Sequence, residues 1–290
     1  MRPDQISRTA AFVAIKFYGL TRIPPYHDWF DQEIIQFYER LVQYLPPPLN
    51  WYHQALQKSW LRKFFIISEE LLLPGDLMHI LMRKYIIGQK VEQLLSRDYT
   101  QLLVMGAGFD HLAAFHSQGR IPCFEIDAPR MSSIKQNFVT QQGMQNTDLH
   151  IISHHFSSRG SGLNLEQLDP NRDTVIVAEG FFDYLDQHQS QQILEDLETF
   201  FRNRVQLIST IFALDELSAA RRAIFTAGVR MVGEKIRLHL SKNEFESMLA
   251  AASFTPTRAI DSTNMLQKLP APRHVDRSVL NGFYLSFSEK

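Results

Sequence analysis

Residues 6–20 set apolar side chains at near-helical spacing, and Ser7 or Thr9 can cap the helix they predict. Ile23-Pro24-Pro25 and Pro46-Pro47-Pro48 then interrupt the chain. Between these breaks, residues 28–45 predict an amphipathic helix carrying Ile34, Phe37, Leu41 and Leu45 on one side. The aromatic and apolar stretch 51–72 predicts more helix. Leu73-Pro74-Gly75-Asp76 predicts a turn, and 77–96 a further helix.

The pattern changes near residue 98. Short apolar runs at 101–105, 122–127, 149–153, 174–178 and 204–210 read as buried strands. They are separated by helical stretches at 129–142, 187–202 and 242–252, and a final strand is expected within 278–287. Buried strands alternating with helices predict an α/β fold with a mostly parallel, doubly wound sheet. The chain thus divides into a helical cap, 1–97, and a Rossmann-like core, 98–290. Ligands of such sheets lie beyond the carboxyl ends of the strands, which directs attention to the loops after 105, 124, 153 and 178.

Composition narrows the function. The 290 residues are 44% apolar and 21% charged with a net charge of −1, so nothing in the overall charge invites nucleic acid or an anionic membrane. A lone cysteine, Cys123, excludes an intramolecular disulfide and a cysteine-based zinc site. No signal peptide and no apolar run of roughly 20 residues is read, so a soluble, cytoplasmic protein acting on a small molecule is expected. The oligomeric state is not legible.

Gly106-Ala107-Gly108 follows the first core strand, where glycines let a backbone approach a ligand closely. Alone, this is also the geometry of a tight strand-to-helix turn. Glu125 and Asp127 lie 19 and 21 positions after Gly106, the distance at which an acid ending the second strand accepts hydrogen bonds from ribose hydroxyls. The dinucleotide fingerprint demands a third glycine where this chain has His111, which favours an adenosyl group without a pyrophosphate over NAD.

Several segments resemble one family in order and spacing over residues 6–200. They are Ser7-Arg8-Thr9-Ala10, His27-Asp28-Trp29-Phe30 (lacking the family's proline), Met82-Arg83-Lys84-Tyr85-Ile86, Gly106-Ala107-Gly108-Phe109-Asp110, Phe124-Glu125-Ile126-Asp127-Ala128-Pro129, and Ala178-Glu179-Gly180-Phe181-Phe182-Asp183-Tyr184-Leu185. This set resembles the leucine carboxyl methyltransferase-like family of class I S-adenosylmethionine (SAM) dependent methyltransferases. The resemblance implies a seven-stranded sheet with an antiparallel last strand and SAM as cofactor. It also implies roles: Arg83 on the methionine carboxylate, Gly106, Ala107 and Gly108 along methionine and ribose, Glu125 or Asp127 on the ribose hydroxyls, and Glu179 near the methionine amino group. Where the family has Asp-Leu-Arg after the third strand, this chain has Ser153-His154-His155-Phe156, which leaves His155 and Phe156 as candidate adenine neighbours. The paired His154 and His155 lack a third ligand at recognisable spacing, so no metal is expected.

The resemblance favours methyl transfer to a carboxylate, which is ionised at neutral pH and needs no general base. Tyr184, His155 and Lys16 are the catalytic candidates, Lys16 as a counter-charge to an incoming carboxylate and the others as bases for a hydroxyl. The aromatic run Tyr44, Trp51, Tyr52, Trp60, Phe64 and Phe65 reads as cap core or as the roof of an apolar acceptor pocket. The expected function is therefore O-methylation of a carboxylate on a small hydrophobic acid or a peptide-like natural-product intermediate. The competing readings are a catalytically inactive methyltransferase-like binding protein and an NAD-dependent oxidoreductase.

Overall fold

A computed structural model describes residues 6–156, 162–231, 233–270 and 278–290. Five helices come first: α1 (Arg8–Thr21), α2 (Gln32–Tyr44), α3 (Trp51–Gln57), α4 (Ser59–Leu72) and α5 (Asp76–Leu95). Ser7 caps α1, its hydroxyl accepting from the Ala10 amide at 3.1 Å. The stretch 51–72 is two helices, because Lys58 takes an extended conformation between them.

The sheet comprises β1 (Gln101–Met105), β2 (Cys123–Asp127), β3 (Leu149–Ser153), β4 (Thr174–Ala178), β5 (Val205–Phe212), β6 (Thr255–Asp261) and β7 (Phe283–Glu289). Its order is β3-β2-β1-β4-β5-β7-β6, and only β7 runs against the rest. Between the strands lie α6 (Leu112–His116), α7 (Pro129–Gln141), α8 (Gln187–Phe200), α9 (Ala219–Met231), α10 (Lys242–Ala251) and α11 (Ser262–Leu266). The sheet, its antiparallel last strand and its flanking helices agree with the expected class I methyltransferase fold. The sequence reading had assigned neither β6 nor α9.

Alternation along each strand divides the core into two layers. Leu102 and Val104 of β1 and Val175 and Val177 of β4 face a cluster built by α1, α2, α5, α6 and α7. Leu103, Met105, Ile176 and Ala178 face the other cluster, closed by α8 and α10. The helical segment ends at Leu95 and the sheet starts at Gln101, so residue 97 falls in the connection. Buried side chains of α1, α2 and α5 nonetheless share one apolar cluster with the sheet. Cys123 is fully buried in β2, hydrogen-bonded on both sides by β1 and β3, and burial pushes its thiol pKa well up. Among the described residues, no helix is long and apolar enough to cross a membrane.

Candidate active site

A cavity of about 550 Å³ opens at the carboxyl ends of β1, β2, β4 and β5, walled by α1, α5 and α9. Its floor is the loop after β1. Gly106 and Gly108 hold φ of +58° and +50°, a region costly for any residue with a Cβ. At Gly106 a Cβ would also stand 2.6 Å from Phe181 Cδ2. Asp127 braces this loop, its Oδ2 accepting from the Gly108 amide and its Oδ1 from the Ala128 amide, both at 2.6 Å. Burial lifts the Asp127 carboxyl to about 6 against the pull of these two amides.

Along one wall runs an unbroken series of charged contacts. Lys16 Nζ of α1 lies 2.7 Å from Glu69 Oε2 and 2.7 Å from Asp76 Oδ2. Asp76 Oδ1 faces His79 Nδ1 at 3.6 Å, too long for a hydrogen bond. His79 Nε2 lies 3.2 Å from Arg83 Nη1, which fixes that ring nitrogen as an acceptor. Burial, joined by the Arg83 charge, pushes His79 down to about 4 and leaves it neutral. Arg83 Nε then stands 2.8 Å from Glu179 Oε1 as an ion pair without a well-aligned hydrogen bond. Glu179 Oε2 reaches Lys84 Nζ at 3.1 Å, and Lys84 also pairs with Asp110. Asp110 Oδ1 in turn accepts from the Leu112 amide at 2.7 Å and pins the start of α6. Burial disfavours the Lys84 charge, but Asp110 and Glu179 outweigh it and hold its pKa above the ordinary value.

Two carboxylate oxygens of the cavity wall, Asp183 Oδ2 and Glu234 Oε2, are buried without a hydrogen-bond partner. Asp183 Oδ1 accepts from the Phe212 amide at 3.0 Å, and Glu234 Oε1 from the Ser7 hydroxyl at 2.5 Å. Burial raises Asp183 to about 6, against the Phe212 amide and the Arg83 charge. In all, seven carboxylates and three cations line the cavity. The lining also includes the apolar side chains of Phe12, Val13, Leu72, Phe212, Ile224 and Phe225. The Phe212 and Phe225 rings lie 4.6 Å apart.

Of the residues singled out in the sequence, Lys16, Arg83, Gly106, Ala107, Gly108, Asp127, Glu179 and Tyr184 meet at this cavity. Glu125 lies outside its lining, paired to Lys135 at 3.0 Å. Lys135 also donates to the Asp110 carbonyl, so this pair supports the loop from behind. His155 is exposed on the loop after β3, and residues 157–161 lie outside the described residues. Phe156 packs edge-on against Phe181, with ring centres 5.0 Å apart, and Phe181 borders Gly106. His154 packs on Phe156 at 4.9 Å. Among the described residues, no group of three His, Cys, Asp or Glu is arranged to hold a metal. His111 is buried, with Nδ1 3.3 Å from the Tyr38 hydroxyl, and burial pushes it down to about 4.

The aromatic run of the helical segment divides: Tyr44, Tyr52 and Phe65 pack against the core, as the cap-core reading expects, and the other three do not. Trp51, Trp60 and Phe64 are 68%, 67% and 69% exposed and line neither core nor cavity. The apolar wall comes instead from α1, the end of α4 and α9. Residues overlooked in the sequence are Glu69, Asp76, His79, Lys84, Asp110, Asp183 and Glu234. Lys84, Asp110 and Asp183 stand inside the quoted motifs and were the accessible signals among them.

No curated protein sequence matches the chain. Among solved structures, a protein of Thermobifida fusca YX described as a methyltransferase aligns at 13% identity and a TM-score of 0.56. The alignment covers 79% of this chain and 88% of that one, and supports the fold. A protein of Nostoc punctiforme PCC 73102 described as an O-methyltransferase aligns at 16% identity and 0.46, covering 70% of this chain and 55% of that one. This chain therefore spans little more than half the Nostoc protein's length. Magnesium protoporphyrin IX methyltransferase from Synechocystis PCC 6803 aligns at 10% identity and 0.45, covering 72% and 83%. Scores this low leave the last two as likenesses that carry no argument. The sequence model for leucine carboxyl methyltransferase matches residues 39–198, more than half of the chain and the stretch holding β1 to β4 with their loops. The chain belongs to the leucine carboxyl methyltransferase family of SAM-dependent methyltransferases.

Proposed function

We propose that this chain transfers a methyl group from SAM to an apolar small molecule held between α1, α5 and α9. The observation that carries this reading is the cavity at the strand ends, lined by two left-handed glycines, Asp127 and phenylalanines. The residues present suit the donor. Its sulfonium and ammonium are cationic, and carboxylates outnumber cations here by seven to three. Arg83 would hold the methionine carboxylate through its remaining guanidinium N–H groups. Asp127 would hold the ribose hydroxyls and Glu179 the methionine ammonium. Glu125, behind the loop, would act only by orienting Lys135, and His155 and Phe156 would border adenine at most from the rim.

When bound, the sulfonium supplies an already activated methyl group, so the protein's task is alignment and exclusion of water. The apolar part of the lining exposes little polar surface for water to occupy. The carboxylate acceptor implied by the family resemblance would require a counter-charge. Lys16 is held between Glu69 and Asp76, and Lys84 between Asp110 and Glu179, so among the described lining residues Arg83 is the cation paired with a single carboxylate.

Calorimetric titration with SAM and, separately, NAD tests this reading. The expected result is micromolar SAM binding that Arg83→Ala and Asp127→Ala each weaken by at least about tenfold, with no NAD binding. A folded protein that ignores SAM would overturn it. NAD binding would revive an oxidoreductase. SAM affinity without turnover on any acceptor would favour the inactive binding protein.

A further inference from the structure

We infer that the face formed by α4 and α9 around the cavity mouth seats on an anionic lipid surface. The inference adds a docking surface to the methyltransferase reading and is tested apart from it.

Exposure places the mouth. Among the described lining residues, the exposed ones are Leu72, at the end of α4, and Ile224, Ala227 and Gly228 of α9. None of the four carries a charge or a hydrogen-bonding side chain. Solvent thus meets the cavity between these two helices, across an apolar rim. Along α4 from that rim stand Leu71, Ile67, Phe64 and Trp60, exposed at spacings of four, three and four residues. Such spacing puts all four on one side of the helix. Ile66 and Glu69 turn the other way, Ile66 into the core and Glu69 onto Lys16. Helix α4 therefore holds a continuous apolar stripe in water and joins it to the mouth. A contiguous stripe of large apolar side chains marks a surface that a partner covers.

Charge selects the partner. Helix α9 carries Arg221, Arg222 and Arg230 and no acid, and α4 adds Arg62 and Lys63. The two acids of α4 are engaged, Glu69 by Lys16 and Glu70 by the Gly75 amide at 3.2 Å. Arg222 and Arg230 line a shallow hollow of about 470 Å³ on α9 together with Ala223, Thr226 and Ala227, and Ala227 also borders the mouth. Guanidinium groups pair readily with phosphates. The net charge of −1 for the whole chain thus conceals a local positive excess.

An anionic lipid surface supplies both partners. Its headgroup phosphates meet the arginines, and its interfacial layer takes up Trp60 and Phe64. The 14 residues of α4 rise about 21 Å and are apolar on one side, so the helix would lie in the interface and not cross it. A second copy fits less well. An isologous pair would set one positive face against another and close both mouths with protein. A fluid lipid layer leaves the mouth open to an acceptor dissolved in it.

Sedimentation of the full chain with vesicles tests the inference. One set is phosphatidylcholine alone, and the other is phosphatidylcholine with an equal part of phosphatidylglycerol. S-adenosylhomocysteine (SAH), the demethylated donor, is titrated into every variant by calorimetry to report an intact donor site. The expected affinity for the anionic vesicles is at least about tenfold above that for the neutral ones and falls as salt is raised. Phe64→Ser with Leu71→Ser, and separately Arg222→Gln with Arg230→Gln, should each weaken it by at least about tenfold. SAH affinity should stay within about threefold of the native value in both variants. No binding to the anionic vesicles, equal binding to the two sets, or binding that either pair of substitutions leaves unchanged would overturn the inference. Self-association that Phe64→Ser with Leu71→Ser abolishes, without vesicle binding, would give the face to a second copy instead. Absence of SAH binding would overturn the methyltransferase reading, while the vesicles would still decide the docking surface.

Discussion

Arg83 Nε and Glu179 Oε1 lie 2.8 Å apart, so the guanidinium assigned to the donor's carboxylate is already oriented by a carboxylate of the loop after β4. Pairing with Glu179 and the Nη1 contact with His79 hold the guanidinium in place, so little side-chain entropy remains to be lost when its remaining donors bind a ligand. Charge-assisted hydrogen bonds contribute about 1.5–3 kcal/mol each. Arg83→Ala should therefore weaken SAH binding about ten- to a hundredfold in a calorimetric titration. Arg83→Lys should recover only part of that loss, because an ammonium cannot reproduce the planar fork.

Lys84 should matter to the fold more than to the ligand. It is buried between Asp110 and Glu179, and Lys84→Met would leave Asp110 without its cation and Glu179 with Arg83 alone. Breaking one member of a buried ion network costs about 3–5 kcal/mol. Denaturant unfolding should show a loss of this size, and replacing Asp110 as well, by Asn, should return part of it.

Gly106→Ala should be destabilising for two reasons that can be separated. A side chain at φ +58° costs about 1–2 kcal/mol, and the new Cβ meets Phe181. Adding Phe181→Leu should relieve the second cost and leave the first. Thermal unfolding of the single and double variants checks this.

Asp183 should cost stability once its carboxyl is ionised. Its carboxyl titrates near 6 in the fold against 3.8 ordinarily, so the folded protein holds that proton more tightly than the unfolded chain does. Stability from this group is highest below the ordinary value, falls as pH rises from about 4 to about 6, and stays reduced above. Asn can still accept from the Phe212 amide without carrying the charge. Asp183→Asn should therefore stabilise the protein by about 1–3 kcal/mol at pH 8, and by much less at pH 4, in thermal melts at the two pH values.

Trp60, 67% exposed on α4, should be dispensable for the fold and for the donor. Trp60→Ser is expected to change stability by no more than about 0.5 kcal/mol and to leave SAH affinity unchanged in calorimetry.

The sequence made most of the sheet legible because its central strands are buried on both faces and read as continuous apolar runs, as Leu102 to Met105 do. Strand β6 was hidden because Thr255 to Ala259 are largely exposed and include Pro256, which an edge position tolerates. At the site, Gly106, Gly108 and Asp127 were legible from one loop and one strand end. The wall of ion pairs was not, because Glu69, Asp76, Lys84 and Asp110 acquire partners through the packing of α1, α4 and α5 against the sheet. Nor could spacing decide between Glu125 and Asp127. They share a strand two residues apart, and only the position of Lys135 turns one of them away from the cavity. The exposed tryptophans misled in the opposite direction, since an aromatic run reads alike whether it faces a core, a pocket or solvent.

Cys123 gives this protein a built-in gauge. With its thiol sealed in the second strand and no other sulfhydryl in the chain, alkylation by a small reagent can proceed only as fast as the sheet opens. Any ligand that binds the closed form slows that labelling in inverse proportion to the fraction of protein left unliganded. A ligand present at a hundred times its dissociation constant should retard labelling about a hundredfold. Candidate donors and acceptors can thus be ranked by the rate at which one sulfur atom is modified, without a turnover assay and without a tag.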